Sequence, residues 1–456
     1  MSAPPPLVVR GARAVWTGSR TVEGADVWLA GGEVAALLPA GAEPPPPVRA
    51  LLTSDDGRPL APSVLDASGC IVIPGLVNAH HHLLQCAFRT LPGTRHVPMR
   101  QWLPAMAAAY AHAGIDPELA GAAARAGLAE ALLCGVTTVA DHHLTWPAGC
   151  DDVGIAAATA GAARELGARV VFVRGTAGDD AAAAAASAEA IVAELGARSA
   201  DGRVAVAVGP AGVHSDGADT FAALREVALR HGLPRRTQAN EQVDVELAAA
   251  RYGRRPLELL DAWGWLEAGV TVAHLCDVTA VEIAHVAASG ATATHAPGCD
   301  LPMGWGLAPA GALLDAGVTV GLGTSGGGSN DAGHLLADAR LAMQASPLAG
   351  RPLTAQESLG MATTGSALGL GRPELGHLEP GAAADLALYD LGGVADAGVD
   401  DGALVDALLW TSPGRRPRDV IVGGAPAVRD GELVARPERG LARDLTDLLA
   451  RRRAAA

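Results

Sequence analysis

Eight short runs of β-branched or apolar residues recur along the chain, each separated from the next by a stretch that is mostly rich in Ala and Leu. The runs are Ile73–Asn78, Val136–Asp141, Val170–Arg174, Val204–Val208, Arg236–Asn240, Val270–His274, Ala291–His295 and Val318–Gly323. Between them lie helix-length patterns such as Pro117–Leu133, Val153–Leu166, Ala181–Leu195 and Thr220–His231. The alanine run Ala181–Ala186 reads as one face of such a helix. Strands joined through helices pair in parallel, and eight units of this kind predict a closed (β/α)8 barrel of the TIM type, an α/β fold. The alternative is an open doubly wound sheet. No G-x-G-x-x-G follows the first run, which weighs against it.

The flanks read differently. Up to about residue 70, short apolar runs (Leu7–Val9, Asp26–Leu29, Glu33–Leu38) are broken by Gly and Pro, as strands joined by turns are. The Pro-rich stretch Glu43–Val48 reads as an exposed loop. Strand patterns return late in the chain at Ala384–Tyr389, Asp419–Val422 and Glu432–Val434. We therefore expect a small β-sandwich domain built from both termini (residues 1–70 and 371–456, the latter with a tail), with the barrel inserted as residues 71–370.

Composition narrows the function. At 456 residues the chain is long for a single core, and at 49% hydrophobic but only 3% aromatic it must fill that core with Ala, Val and Leu. The formal charge of −15 argues against a nucleic-acid partner. No apolar run is long enough to span a membrane, and Met1–Pro6 lacks the pattern of a signal peptide. The six cysteines, Cys70, Cys86, Cys134, Cys150, Cys276 and Cys299, form no C-x-x-C pair and read as reduced, buried thiols in a cytoplasmic protein. The chain contains no lysine. That excludes Schiff-base catalysis by lysine and any two-metal site bridged by a carbamylated lysine; a GC-rich genome is the bland cause.

Catalytic groups of a barrel stand at the C-terminal ends of its strands. The first run leads into His80-His81-His82, where residues two apart share a face, so His80 and His82 point inward together and His81 points away. Two inward imidazoles suit zinc or iron. H-x-H alone is a weak signal, as compatible with a structural cluster as with a metal site. The second run ends in Asp141-His142-His143, the fifth leads through Gln238 to Glu241, the sixth ends in His274, the seventh in His295 and the eighth in Thr324-Ser325. A lone histidine is more often core packing; histidines closing several successive strands are not explained that way.

The run Pro74-Gly75-Leu76-Val77-Asn78-Ala79-His80-His81-His82 resembles the first-strand signature of the amidohydrolase superfamily, and the resemblance extends to Gly376–Leu386 near the C-terminus. Within the superfamily the chain is similar to the subgroup of 8-oxoguanine deaminase, atrazine chlorohydrolase and the triazine hydrolases. Met303–Pro309 and Leu322–Asp331 resemble the triazine hydrolase segments after strands seven and eight. This implies metal ligands at His80, His82 and His274 for one divalent cation per chain, zinc ahead of iron. It implies Glu241 as the proton shuttle, with a metal-activated water attacking the carbon of a nitrogen-rich heteroaromatic ring. Substrate contacts are expected from Gln85, Trp102, His143, His214, Trp305, Asn330 and Asp331; His295 reads as a supporting residue, and a homodimer is the family expectation.

Two positions depart from the family pattern. The aspartate that closes strand eight in most of the superfamily is Ser325 here; triazine hydrolases carry a threonine there, so a hydroxyl is compatible with catalysis and throws more proton transfer onto Glu241. The strand-five metal histidine is Gln238, which leaves three readings: a weak fourth ligand, a three-histidine site, or loss of the metal. The reaction is accordingly deamination, removal of a halogen or thioether by the same chemistry, or, in a metal-free descendant, binding or a non-hydrolytic step on a heterocycle.

Overall fold

The computed structural model describes residues 4–53 and 60–455, so Met1–Ala3 of the window read for a signal peptide lie outside the described residues. The barrel strands are Leu76–His81, Val136–His143, Arg169–Thr176, Val204–Pro210, Arg235–Ala239, Val270–His274, Thr292–His295 and Val320–Leu322. They pair in chain order, each parallel to the next. The ring closes where Ser325 N–H donates to the His80 carbonyl (2.9 Å) and His82 N–H donates to that of Ser325 (3.2 Å). Helices flank the strands as the patterning requires: Pro117–Leu133 and Ala181–Leu195 form over the residues read from sequence. Asp116, Asp151 and Asp180 accept the free amides at three helix starts, contacts worth about 1 kcal/mol each.

The expected first strand, Ile73–Asn78, is two strands. Cys70–Pro74 pairs antiparallel with Leu386–Asp390 in a different sheet, and only the residues from Leu76 enter the barrel. Gly75 is the break: a Cβ there would sit 2.3 Å from the Thr137 hydroxyl, so the chain passes a barrel strand too closely for any side chain. Both termini meet in this second region. A four-stranded sheet takes the order Glu33–Pro39, Ala25–Ala30, Leu7–Arg10, Ser63–Asp66. A seven-stranded sheet places the late strands Leu386–Asp390, Asp419–Val422, Ala425–Arg429 and Glu432–Leu433 on one side of Cys70–Pro74. Ala14–Trp16 and Thr21–Glu23 lie on its other side. Val9, Val27 and Leu29 of the first sheet pack against Val72, Leu386 and Ile421 of the second, which makes the pair a sandwich.

Three expectations are corrected. Part of the Pro-rich loop is a short helix, Pro46–Leu51, because proline is accommodated in a first turn where its missing N–H has no partner to lose. Asn240, read as strand, has left it with φ of +53°. Of the six thiols, Cys150 and Cys276 are only half-buried. Among the described residues no helix is long and apolar enough to cross a membrane.

A buried ion pair ties barrel to sandwich. Arg169, at the start of the third barrel strand, meets Asp385 through two hydrogen bonds of 2.8 and 2.9 Å, both side chains buried. Gly423 N–H donates to the same carboxylate at 2.7 Å. Burial pushes the Asp385 carboxyl up, but Arg169 and these bonds outweigh it and hold it below the usual range. Its contribution to stability is therefore complete above the unfolded-state value of about 4 and is lost as pH falls through the depressed folded-state value. Asp385→Ala strands a buried guanidinium and should cost about 3–5 kcal/mol in denaturant unfolding at neutral pH, with a smaller difference from the parent in acid.

Candidate active site

Each barrel strand delivers its last residues to one end, and there the polar groups converge. His80, near the end of the first strand, is buried, and its Nε2 has no hydrogen-bond partner. Its ring centroid lies 4.9 Å from that of His82 and 5.1 Å from that of His274. His82 Nδ1–H donates to the His142 carbonyl (2.7 Å), which leaves Nε2 free. His81 points away, as strand alternation requires; its Nδ1 meets Thr324 Oγ1 at 2.9 Å.

The other side of the cluster is His274. Its Nδ1–H donates to Asp300 Oδ1 at 2.8 Å. Its Nε2 faces two oxygens at 3.1 Å, Oε1 of Gln238 and Oε1 of Glu241. The Gln238 amide is oriented by its own N–H donating to the Ala211 carbonyl (3.2 Å), which turns the oxygen toward the histidines. Glu241 follows the fifth strand at a backbone corner held by Asp244. The Asp244 carboxylate accepts the N–H groups of Asn240 (2.6 Å) and Glu241 (2.8 Å).

Burial sets the charge states. It holds His80 well below the ordinary imidazole value, His82 at about 4 and His142 at about 3. These rings are neutral at physiological pH, the form in which His80 and His82 could ligate a metal. Burial pushes the Glu241 carboxyl up against the pull of His274. Burial would lower His274 too, but the carboxylates of Glu241 and Asp300 raise it instead.

Four non-glycine residues around this ring, Asn240, His274, Leu275 and Ser325, have φ between +53° and +74°. Such backbone costs about 1–3 kcal/mol per residue and gathers where a site dictates geometry. The ring opens into a cavity of about 540 Å³, walled largely by apolar side chains that include Leu84, Met99, Met106 and Trp146.

Gln85, Trp102, His143, His214 and Trp305 all line this cavity, with Gln238, Glu241, His274 and Ser325 at its floor. Trp102 and Trp305 meet edge to face at 5.6 Å. Gln85 donates to the Tyr110 hydroxyl (2.9 Å) while its Oε1 has no partner, and His214 Nδ1 is buried without one. Asn330 and Asp331 are not brought to the cavity. Asn330 donates to Asp338 (3.1 Å); Asp331 accepts from Gly328 N–H (3.0 Å) and pairs with Arg95. They build the turn after strand eight. His295 closes strand seven, buried, with Nδ1 unpartnered.

Sequence reading missed Asp244 and Asp300, which touch the site only through other residues. It also missed Tyr110 and Trp146, whose place in the cavity no local pattern signals. Among the described residues, donor atoms of His274, Cys299 and Asp300 lie within 4.8 Å of one another. The Nδ1–H of His274 is already given to Asp300, so this group is a support behind the histidine ring.

Comparison with known proteins decides the family. The amidohydrolase family model matches residues 71–427. The chain belongs to the amidohydrolase family. It is 33% identical over 465 residues to 8-oxoguanine deaminase of Pseudomonas aeruginosa, covering 98% of each chain. It is 35% identical over 376 residues to a 5-methylthioadenosine/S-adenosylhomocysteine deaminase of Natronomonas pharaonis, covering 81% of this chain and 84% of that one. The crystal structure of atrazine chlorohydrolase from Arthrobacter aurescens TC1 complexed with zinc matches with a TM-score of 0.87 and 33% identity. That match covers 97% of this chain and 100% of the other. These amidohydrolase relatives are hydrolases, two cleaving C–N bonds and one a C–Cl bond.

Asp244 places Glu241 by accepting two adjacent amides, and Asn can accept only one of them. Asp244→Asn should lower kcat about 10²-fold by misplacing the carboxyl, with bound metal unchanged by elemental analysis.

Proposed function

We propose that this amidohydrolase removes an amino or halogen substituent from a nitrogen-rich heteroaromatic ring, with one divalent cation per chain, zinc ahead of iron. The observation that carries the reading is the unpartnered, buried Nε2 of His80. It is grouped with His82, with His274 Nε2 and with the Gln238 oxygen at the floor of an apolar cavity. These four side chains would hold the metal, and the zinc in the atrazine chlorohydrolase structure supports the choice of ion. When bound, such an ion lowers the pKa of water toward about 7 and so supplies the nucleophile.

The remaining work falls to side chains. The tryptophans Trp102 and Trp305 and the methionines Met99 and Met106 exclude water and offer flat, polarizable surface to a ring. Gln85 Oε1 and His214 Nδ1, both unpartnered, are left to recognise ring nitrogens or substituents. His143 donates its Nε2–H to the Thr145 carbonyl (3.0 Å), so its ring is held as a fixed wall. Glu241, its carboxyl pushed up by burial, holds a proton at the floor and delivers it to a ring nitrogen or to the departing group. Ser325 contributes a hydroxyl rather than a base, so no carboxylate at strand eight competes with Glu241 for that role.

Elemental analysis of protein purified without chelator should find about one zinc or iron per chain, absent from the His80→Ala/His82→Ala variant. An assay panel of amino- and chloro-substituted purines and triazines should then reveal turnover. Glu241→Gln should keep the metal and lose about 10²- to 10⁴-fold in kcat. Protein that takes up no metal even after zinc is added would overturn the proposal.

A further inference from the structure

The ring of donors is poor in negative charge. Ser325 presents a hydroxyl and Gln238 a neutral amide oxygen. A divalent cation here would face three imidazoles, an amide and a hydroxyl, with the Glu241 carboxyl beside His274.

A second carboxylate lies directly behind the ring. Asp300, on the short helix Pro297–Met303 after strand seven, is fully buried. Its Oδ1 accepts from His274 Nδ1–H at 2.8 Å, and its Oδ2 has no hydrogen-bond partner. Burying a carboxylate costs several kcal/mol unless a positive charge repays it. The Cys299 thiol lies beside it and carries no positive charge in either protonation state. Among the described residues no arginine pairs with Asp300. Its hydrogen bond goes to His274, whose other ring nitrogen faces the place a cation would take.

We propose that Asp300 supplies, through His274, the negative charge that a donor ring containing Gln238 and Ser325 lacks. Asp300 is a positioning residue. It fixes the Nδ1–H tautomer, turns Nε2 toward the metal, and makes the imidazole a stronger donor, as a carboxylate behind a ligating histidine does. The inference rests on the metal-dependent reading above.

The test is zinc affinity, read by competition with a chromophoric chelator, alongside the melting temperature of the metal-free protein. Asp300→Asn keeps the size and the acceptor but removes the charge. It should weaken zinc binding about 10- to 100-fold with little change in the metal-free melting temperature. Adding Ser325→Asp to it should recover most of the loss, because a carboxylate returns beside the donor ring. A purely structural Asp300 predicts the reverse, with D300N binding zinc as the parent does; that result overturns the inference and leaves the hydrolase reading standing. Failure of S325D to restore binding to D300N overturns it as well. If D300N does not fold, the double variant decides: zinc binding by it supports the inference, and its absence overturns it. A parent protein that binds no zinc overturns both.

Discussion

Closure between strands one and eight is the constraint on which the rest depends. A ring of parallel strands satisfies its backbone only if the last strand meets the first, and here they meet through the backbones of His80, His82 and Ser325. The same residues lie in or beside the polar cluster at the strand ends, so the seam that completes the barrel also sets the distance between the first histidine pair and strand eight. Gly323 permits the approach: a Cβ there would lie 2.6–2.9 Å from His80 atoms, backbone among them. Behind the seam Asn78 donates to Thr324 Oγ1 (2.7 Å), and Thr324 in turn meets His81. The histidine that faces away from the site thus helps lock the two strands that build it.

Around the seam the site is a balance of buried charge. Apolar walls remove water, which keeps most imidazoles neutral and raises Glu241, while carboxylates reverse the trend at His274. The positive φ angles at Asn240, His274, Leu275 and Ser325 show backbone held away from its preferred wells at the strand ends. The surrounding barrel, with buried strands throughout, is rigid enough to maintain them. A small cluster of Val77, Val171, Val173 and Ala207 packs with Ala367 and Leu370 from the helical segment after strand eight and adds to that rigidity.

The strand–helix alternation made the barrel legible because most units repeat one pattern: a short β-branched or apolar run, then a longer Ala/Leu stretch. The site residues contributed by strand ends were legible for the same reason, since alternation fixes which of His80, His81 and His82 face inward. Very short strands such as Ala14–Trp16 and Thr21–Glu23 were not, because three residues carry too little periodicity. Asn330 and Asp331 follow strand eight as a site residue would, yet the turn there directs them to Asp338 and Arg95 instead of the cavity.

Sequence by itself determined the fold, the family, the inward-facing histidines and the two departures at Gln238 and Ser325, because these are properties of local pattern and of residue identity at strand ends. Tertiary structure alone decided which distant side chains act on them. Asp300 reaches His274 across 26 residues and Asp244 caps the Glu241 corner from the next helix. Tyr110 and Trp146 come to the cavity wall from separate loops and helices. Such contacts depend on the angles at which elements pack, and no run of neighbouring residues encodes those angles.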